Sequence, residues 1–313
     1  MMKVAVTGGA GFIGSHLVPA LVSDGHDVSC IVEPGLSVTV PDVHVFPIDI
    51  STRQGLTEAL SGADAVIHLA ARNHVLQEKE KDPLAEYRKV NVVGTRNVLR
   101  AAADSGTKLF IHLSSVKAMG EESEEVLNEE SKCSPKTPYG ISKLESEEAV
   151  SAEAAKKGMS AVIIRLPMVY GPRNKGNLPR MIRWAERGLP FPLFQPDNLR
   201  SMAYVENVVA GILAVLKSPP AGVSTYIVKD KDDYSTRTVY STICRALGET
   251  PRFLPIPGLA VRLAGILSED FRKVAGSFRV SSARIEKEIG YSPSHPLEEG
   301  IERTVRWYKG PVH

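Results

Sequence analysis

The sequence predicts an α/β protein: a doubly wound parallel sheet of the Rossmann kind, carrying a smaller α/β lobe. Three observations point there. Short apolar, β-branched runs recur without polar alternation, as strands buried on both faces require. Helical patterns separate these runs. The first run ends directly in a glycine cluster at residues 8–14.

The elements follow in order. KVAVT at Lys3–Thr7 is a buried strand stopped by glycine, and Phe12–Ser23 has a helical pattern. Val28–Val32 is the second strand. AVIHL at Ala65–Leu69, LFIHL at Leu109–Leu113 and AVIIRL at Ala161–Leu166 are strands of the same kind. Leu84–Asp104 and Tyr139–Lys157 are the notable helices between them. Beyond Gly171 prolines become frequent and the alternation weakens, while Val205–Leu216 is apolar enough to be a helix returning to the main sheet. The expected division is a cofactor domain over 1–170, rejoined by 201–228, and a substrate lobe over 171–313.

Composition narrows the function classes. The 313 residues carry 38 basic and 36 acidic side chains, a net charge of +2. That balance argues against a nucleic-acid partner or an anionic membrane. The 3 cysteines are far apart and form no CxxC pair, which fits a reducing compartment and no metal cluster. No apolar run approaches the ~18 residues of a membrane span. The chain reads as cytoplasmic.

The turn TGGAGFIG, from Thr7 to Gly14, sits between a strand and a helix. Glycines there permit a tight turn and let the backbone approach a pyrophosphate, and the helix N-terminus offers free N–H groups to the anion. Gly8, Gly11, Phe12, Ile13 and Gly14 are therefore candidate cofactor contacts. A carboxylate roughly 20 residues further binds a ribose hydroxyl and repels a 2′-phosphate. Glu33 lies 19 positions past Gly14, and no basic residue occurs in Pro34–Pro41. This favours NAD, with NADP left open.

Tyr139 and Lys143 stand four apart in YGISK, on one helix face. An ammonium there would lower the phenol toward working pH, so that it could pass a proton while hydride moves. Ser114 and Ser115 follow the strand Leu109–Leu113 at the carboxyl edge of the sheet, where ligands bind.

With these residues in place, the chain resembles the extended short-chain dehydrogenase/reductase superfamily, in its nucleotide-sugar epimerase/dehydratase branch. The matches span nearly the whole chain: TGGAGFIG, Asp49-Ile50, HLAA at His68–Ala71, NVVGT at Asn91–Thr95, LSS at Leu113–Ser115, YGISK, and VYGP at Val169–Pro172. Arg200 ahead of YVENV at Tyr204–Val208, and Leu297–Trp307, complete them. The resemblance implies that Asp49 and Ile50 hold adenine and that Leu69, Ala70, Ala71, Asn91 and Leu166 line the cofactor path. It implies catalytic Ser115, Tyr139 and Lys143, the last also holding the nicotinamide ribose. Ser115, Lys117, Asn177 and Arg200 would contact a UDP-sugar. It further implies a homodimer joined by a four-helix contact of Leu84–Asp104 and Tyr139–Lys157.

Departures refine this. The dehydratases carry an acidic pair where this chain has Val116-Lys117, which argues against 4,6-dehydration. Epimerases often carry threonine at Lys117 and asparagine at Met168. SVKAMGE, AARNHV, VYGPRNKGN and KDKDDYST look like bacterial reductases of UDP-4-keto-6-deoxy-N-acetylglucosamine, although neighbouring 4-epimerases share most of this pattern. The expected activity is hydride transfer at C4 of a UDP-sugar, foremost as a 4-ketoreductase, with a UDP-hexose 4-epimerase using bound NAD as the alternative. A non-catalytic cofactor-binding regulator of the same fold is more remote, since such proteins tend to lose the tyrosine or lysine.

Arg165–Arg200 holds seven basic and two acidic residues, suiting a diphosphate clamp, with Arg180, Arg183 and Arg187 read as a solvated helix face. The six glutamates of Glu121–Glu130 read as a solvated loop. His68 reads as a core histidine, and His74 lies close to the expected site. Trp184 and Trp307 read as packing residues.

Overall fold

The computed structural model describes residues 1–73, 80–193, 198–256 and 276–310; His74 lies outside them. Seven parallel strands form the main sheet. In chain order they are β1 (Lys3–Thr7), β2 (Asp27–Val32), β3 (His44–Pro47), β4 (Ala65–His68), β5 (Leu109–Ser115), β7 (Ser160–Leu166) and β11 (Val223–Ile227). Their spatial order is β11-β7-β5-β4-β1-β2-β3. The order reverses beside β1, which pairs with β4 on one side and β2 on the other. A crevice opens at such a reversal.

Alternation within each strand builds two apolar layers. Val4 and Val6 face one side with Leu17, Val18 and Leu21 of α1 (Gly14–Ser23). Val208, Ile212 and Val215 of α7 (Val205–Lys217) join that layer. Ala5, Val66 and Phe110 face the other side, against Val98 and Leu99 of α4 (Thr95–Asp104) and Val150 and Ala154 of α5 (Pro138–Lys157). Both faces are thus covered, which is why the strands read as uninterrupted apolar runs.

The helix expected over Leu84–Asp104 is divided. Asp82 caps α3 (Pro83–Arg88) by accepting a hydrogen bond from the Ala85 N–H at 3.1 Å. A π-helical stretch at Lys89–Gly94 precedes α4. Gly94 packs against Ile50, where a Cβ would lie 2.9 Å from Ile50 Cδ1, and the Thr95 hydroxyl donates to the Asn91 carbonyl at 2.6 Å. Such insertions concentrate at functional sites.

A second core lies beyond the sheet. A three-stranded unit joins β8 (Met168–Tyr170), β10 (Arg200–Tyr204) and β12 (Asp233–Tyr234), with β10 parallel to β8 and antiparallel to β12. It packs with α6 (Asn177–Glu186), α8 (Thr236–Leu247) and α10 (Leu297–Lys309) around Tyr170, Tyr204, Tyr240 and Ile301. β11 returns to the main sheet beside β7, whereas β10 belongs to this second unit. Two-residue strands β6 (Val126–Leu127) and β14 (Arg279–Val280) pair in parallel, and α9 (Ala283–Ile289) lies by β11. No described helix is long and apolar enough to cross a membrane.

Candidate active site

A cleft of about 880 Å³ opens where the sheet order reverses, within the range of small-ligand sites. Gly8, Gly11, Phe12, Ile13 and Gly14 form one wall. Glu33 at the end of β2, with Asp49 and Ile50 after β3, line one end. Leu69, Ala70 and Ala71 continue from β4, and Ser115, Tyr139, Lys143 and Leu166 complete the opposite part.

The turn is shaped by what it excludes. Gly8 has φ +74°, and a Cβ there would lie 2.7 Å from the Ala70 nitrogen. A Cβ on Gly14 would lie 2.5 Å from the Gly9 carbonyl oxygen. The N–H groups of Phe12, Ile13 and Gly14 have no hydrogen-bond partner among the described residues, so the start of α1 presents free donors to the cleft. This cradle fits the pyrophosphate of a dinucleotide. Asp49 accepts from the Ser51 N–H at 2.8 Å and hydroxyl at 2.9 Å, which holds its carboxyl below the usual range.

His68 braces the turn from beneath. The Thr95 hydroxyl donates to Asn91, so its oxygen can accept only from His68 Nε2–H, at 2.9 Å. His68 Nδ1 then accepts from the Thr7 hydroxyl at 2.6 Å. The imidazole is neutral, and burial pushes it down to about 3.

Tyr139 is the second residue of α5. Thr137 caps this helix, its hydroxyl oxygen accepting from the Gly140 N–H at 3.2 Å. The Tyr139 phenol hydrogen-bonds Ser115, and its ring meets Tyr87 edge-on at 5.8 Å. Lys143 is 2% exposed, and its ammonium donates to the Leu113 carbonyl at 2.7 Å. The expectation that Lys143 draws the phenol downward is not met in this ligand-free geometry. Desolvation dominates both groups, pushing Tyr139 up to about 12 and Lys143 down to about 8. The two serines are also sorted: Ser115 faces Tyr139, whereas the Ser114 hydroxyl donates to Glu147.

Four expected contacts lie outside the cleft lining. Asn91 is 1% exposed; it accepts from the Arg72 N–H at 2.8 Å and donates to the Arg72 carbonyl at 3.1 Å. It therefore shapes the wall from behind. Lys117 lies over the Phe278 ring at 5.7 Å. Arg200 donates to the Gly276 carbonyl at 2.7 Å and bridges Phe278, so Lys117 and Arg200 converge on one segment. Asn177 is exposed at the first position of α6.

Other readings change. Arg165 is no part of a clamp, because it is buried against Glu147 at 2.8 Å. Glu129 is half-buried: it accepts from the Ile227 N–H at 2.9 Å, and burial raises its carboxyl. Trp184 packs edge-on against Phe191 at 6.4 Å while staying 39% exposed, and Trp307 is 43% exposed. Arg72 and Lys89 line the cleft and were not anticipated, since no spacing marks them in sequence.

Comparison with known proteins places this geometry. The pattern of the NAD dependent epimerase/dehydratase family matches residues 4–228. The chain is 32% identical to a UDP-glucose 4-epimerase of Vibrio cholerae, over 97% of this chain and 94% of that protein. It is 28% identical to the N-acetyl-alpha-D-glucosaminyl-diphospho-ditrans,octacis-undecaprenol 4-epimerase of Escherichia coli O157:H7, over 97% and 95%. Among solved structures, MoeE5 in complex with UDP-glucuronic acid and NAD superposes with a TM-score of 0.82 at 25% identity, covering 98% of this chain and 99% of that one.

Proposed function

The chain belongs to the NAD dependent epimerase/dehydratase family, and on that premise we propose that it is a 4-epimerase of a UDP-sugar. The observation that carries the reading is the Ser115–Tyr139 hydrogen bond beside Lys143, in a cleft whose other wall is the glycine cradle. Two relatives named as 4-epimerases of diphosphate-linked sugars support it.

NAD fits the cradle. Phe12, Ile13 and Gly14 would hold its pyrophosphate, Glu33 the adenosine ribose, and Asp49 and Ile50 the adenine. Leu69, Ala70, Ala71 and Leu166 would wall the remainder, and Lys143 would hold the nicotinamide ribose. When bound, oxidised NAD supplies the hydride acceptor and one positive charge. Tyr139 takes the proton of the sugar C4 hydroxyl, and Ser115 holds the same oxygen. Burial holds the phenol up to about 12, so the Lys143 ammonium and the positive charge of bound NAD would have to favour the phenolate for this transfer. Bound NAD would accept the C4 hydride and give it back; the cleft would let the 4-keto sugar turn in between, and Tyr139 would return the proton to the C4 oxygen as its other face is reduced. Lys117, Arg200 and Asn177 would anchor the diphosphate while the sugar turns. Val116-Lys117 follows Ser115 directly, so no acid pair is supplied there for 4,6-dehydration.

A second reading, a 4-ketoreductase, is favoured by Lys117 and Met168 at positions where epimerases often carry threonine and asparagine. Cofactor accounting separates the two. Purified protein is incubated with UDP-glucose and UDP-N-acetylglucosamine without added cofactor, and products are identified by NMR. Interconversion of C4 epimers with no net change in the nicotinamide band supports the epimerase. Stoichiometric oxidation of NADH by a 4-keto-6-deoxy sugar alone supports the reductase. For the assembly, we propose a homodimer in which α3, α4 and α5 meet their counterparts.

A further inference from the structure

Beneath the cleft lies a charged cluster that the proposed mechanism does not use. Glu147 stands one helical turn beyond Lys143 on α5, on the same face. Across β5 and β7, Ser114 is in register with Arg165. Both side chains rise from that face to Glu147: Arg165 donates through Nε at 3.1 Å and Nη2 at 2.8 Å, and Ser114 donates through its hydroxyl. Glu147 and Arg165 are 5% and 7% exposed at the side chain. The remaining Arg165 donors reach the Cys133 sulfur at 3.4 Å and the Glu129 carbonyl at 3.5 Å.

The bidentate arginine supplies the opposite charge that a carboxylate this deep requires. The groups around Lys143 then follow. From α5 come Tyr139 and Glu147, from β4 His68 and from β5 His112, with Arg165 of β7 behind Glu147. His68 and His112 are stacked at 5.4 Å, and burial keeps both neutral. His112 is further held by Ser146 at 3.0 Å. Among these groups Glu147 is the one negative charge.

We infer that Glu147, fixed by Arg165 and Ser114, is a positioning residue that keeps the Lys143 side chain an ammonium. The residue never meets substrate. Its charge attraction works against the desolvation that pulls the lysine down. The inference deepens the proposed function and rests on it for its catalytic meaning, but its first test needs neither substrate nor cofactor.

The protein is labelled with ¹³C at the lysine ε carbons, and the resonance absent from Lys143→Arg is followed against pH. The wild-type midpoint is expected near 8. Glu147→Gln should lower it by about one unit or more, the effect of removing one close charge, and Glu147→Asp should restore most of the shift. Because Glu147→Gln leaves Arg165 unpaired, the double variant Glu147→Gln/Arg165→Gln carries the test if the single variant does not fold. There the midpoint falls in the same direction, by less. An unchanged midpoint in either folded variant overturns the inference, since a merely structural role would leave it where it was. In a second arm, the alkaline limb of kcat should move with the midpoint. A lowered midpoint in a protein whose wild type turns over no sugar nucleotide leaves this inference standing and removes the functional reading.

Discussion

At the residue scale, one phenol and one glycine bear the most weight. Tyr139→Phe deletes the oxygen proposed to transfer the proton and leaves the ring against Tyr87. It should lower kcat by about 10²–10⁴ with cofactor affinity unchanged, as steady-state kinetics and a fluorescence titration with NAD would show. Gly8→Ala places a methyl 2.7 Å from the Ala70 nitrogen at φ +74°, so the same titration should lose saturable binding. His68 sets a pH dependence. Its folded value is about 3 against 6.5 for a free imidazole, so between those values the unfolded chain binds the extra proton. Stability is therefore lost as pH falls from 6.5 toward 3. The slope of Tm against pH in that window should flatten in His68→Gln.

At the scale of elements, legibility follows the source of each signal. Strands β1, β4, β5 and β7 were readable because burial on both faces leaves unbroken apolar runs. α5 was readable because Thr137, Pro138 and the left-handed Gly158 mark its ends. β3 was not, since His44–Pro47 lies mostly exposed at the sheet edge and lacks that signature. The π-helical stretch was hidden because one inserted residue barely disturbs helical periodicity, while the residues it packs on and bonds to, Ile50 and Arg72, come from other segments. The Glu147–Arg165 pair was hidden likewise: it joins a helix to a strand, and neither neighbourhood marks it. Thr137 tests how far a cap supports the site. Its hydroxyl also donates to Glu121 at 2.9 Å, and Tyr139 is only two residues away. Thr137→Ala should cost about 1 kcal/mol in denaturant unfolding and lower kcat as well.

At the scale of the whole molecule, the net charge of +2 averages unlike parts. Arg165 is neutralised in the core, Lys117 and Arg200 gather at Gly276–Phe278, and Arg180, Arg183 and Arg187 lie exposed on α6. The part of the cleft around Ser115, Tyr139 and Lys143 was largely legible because its residues cluster at a strand end and in one helical turn. The proposed substrate half was less so, because its candidates come from β10, α6 and the segment after Ser115, of which Lys117 and Arg200 are joined through Gly276–Phe278. A ligand that binds only the folded chain stabilises it by about 2.7 kcal/mol at a hundred times its Kd, so saturating NAD should raise Tm, and more than equal NADP if Glu33 selects the ribose hydroxyl. Light scattering should give a mass of two chains. The central claim, that hydride leaves and returns at the same sugar carbon, is tested most directly with UDP-glucose deuterated at C4 and an NMR reading of the product. The account predicts a C4 epimer that retains the deuterium at C4; an epimer that has exchanged it for solvent hydrogen would contradict it.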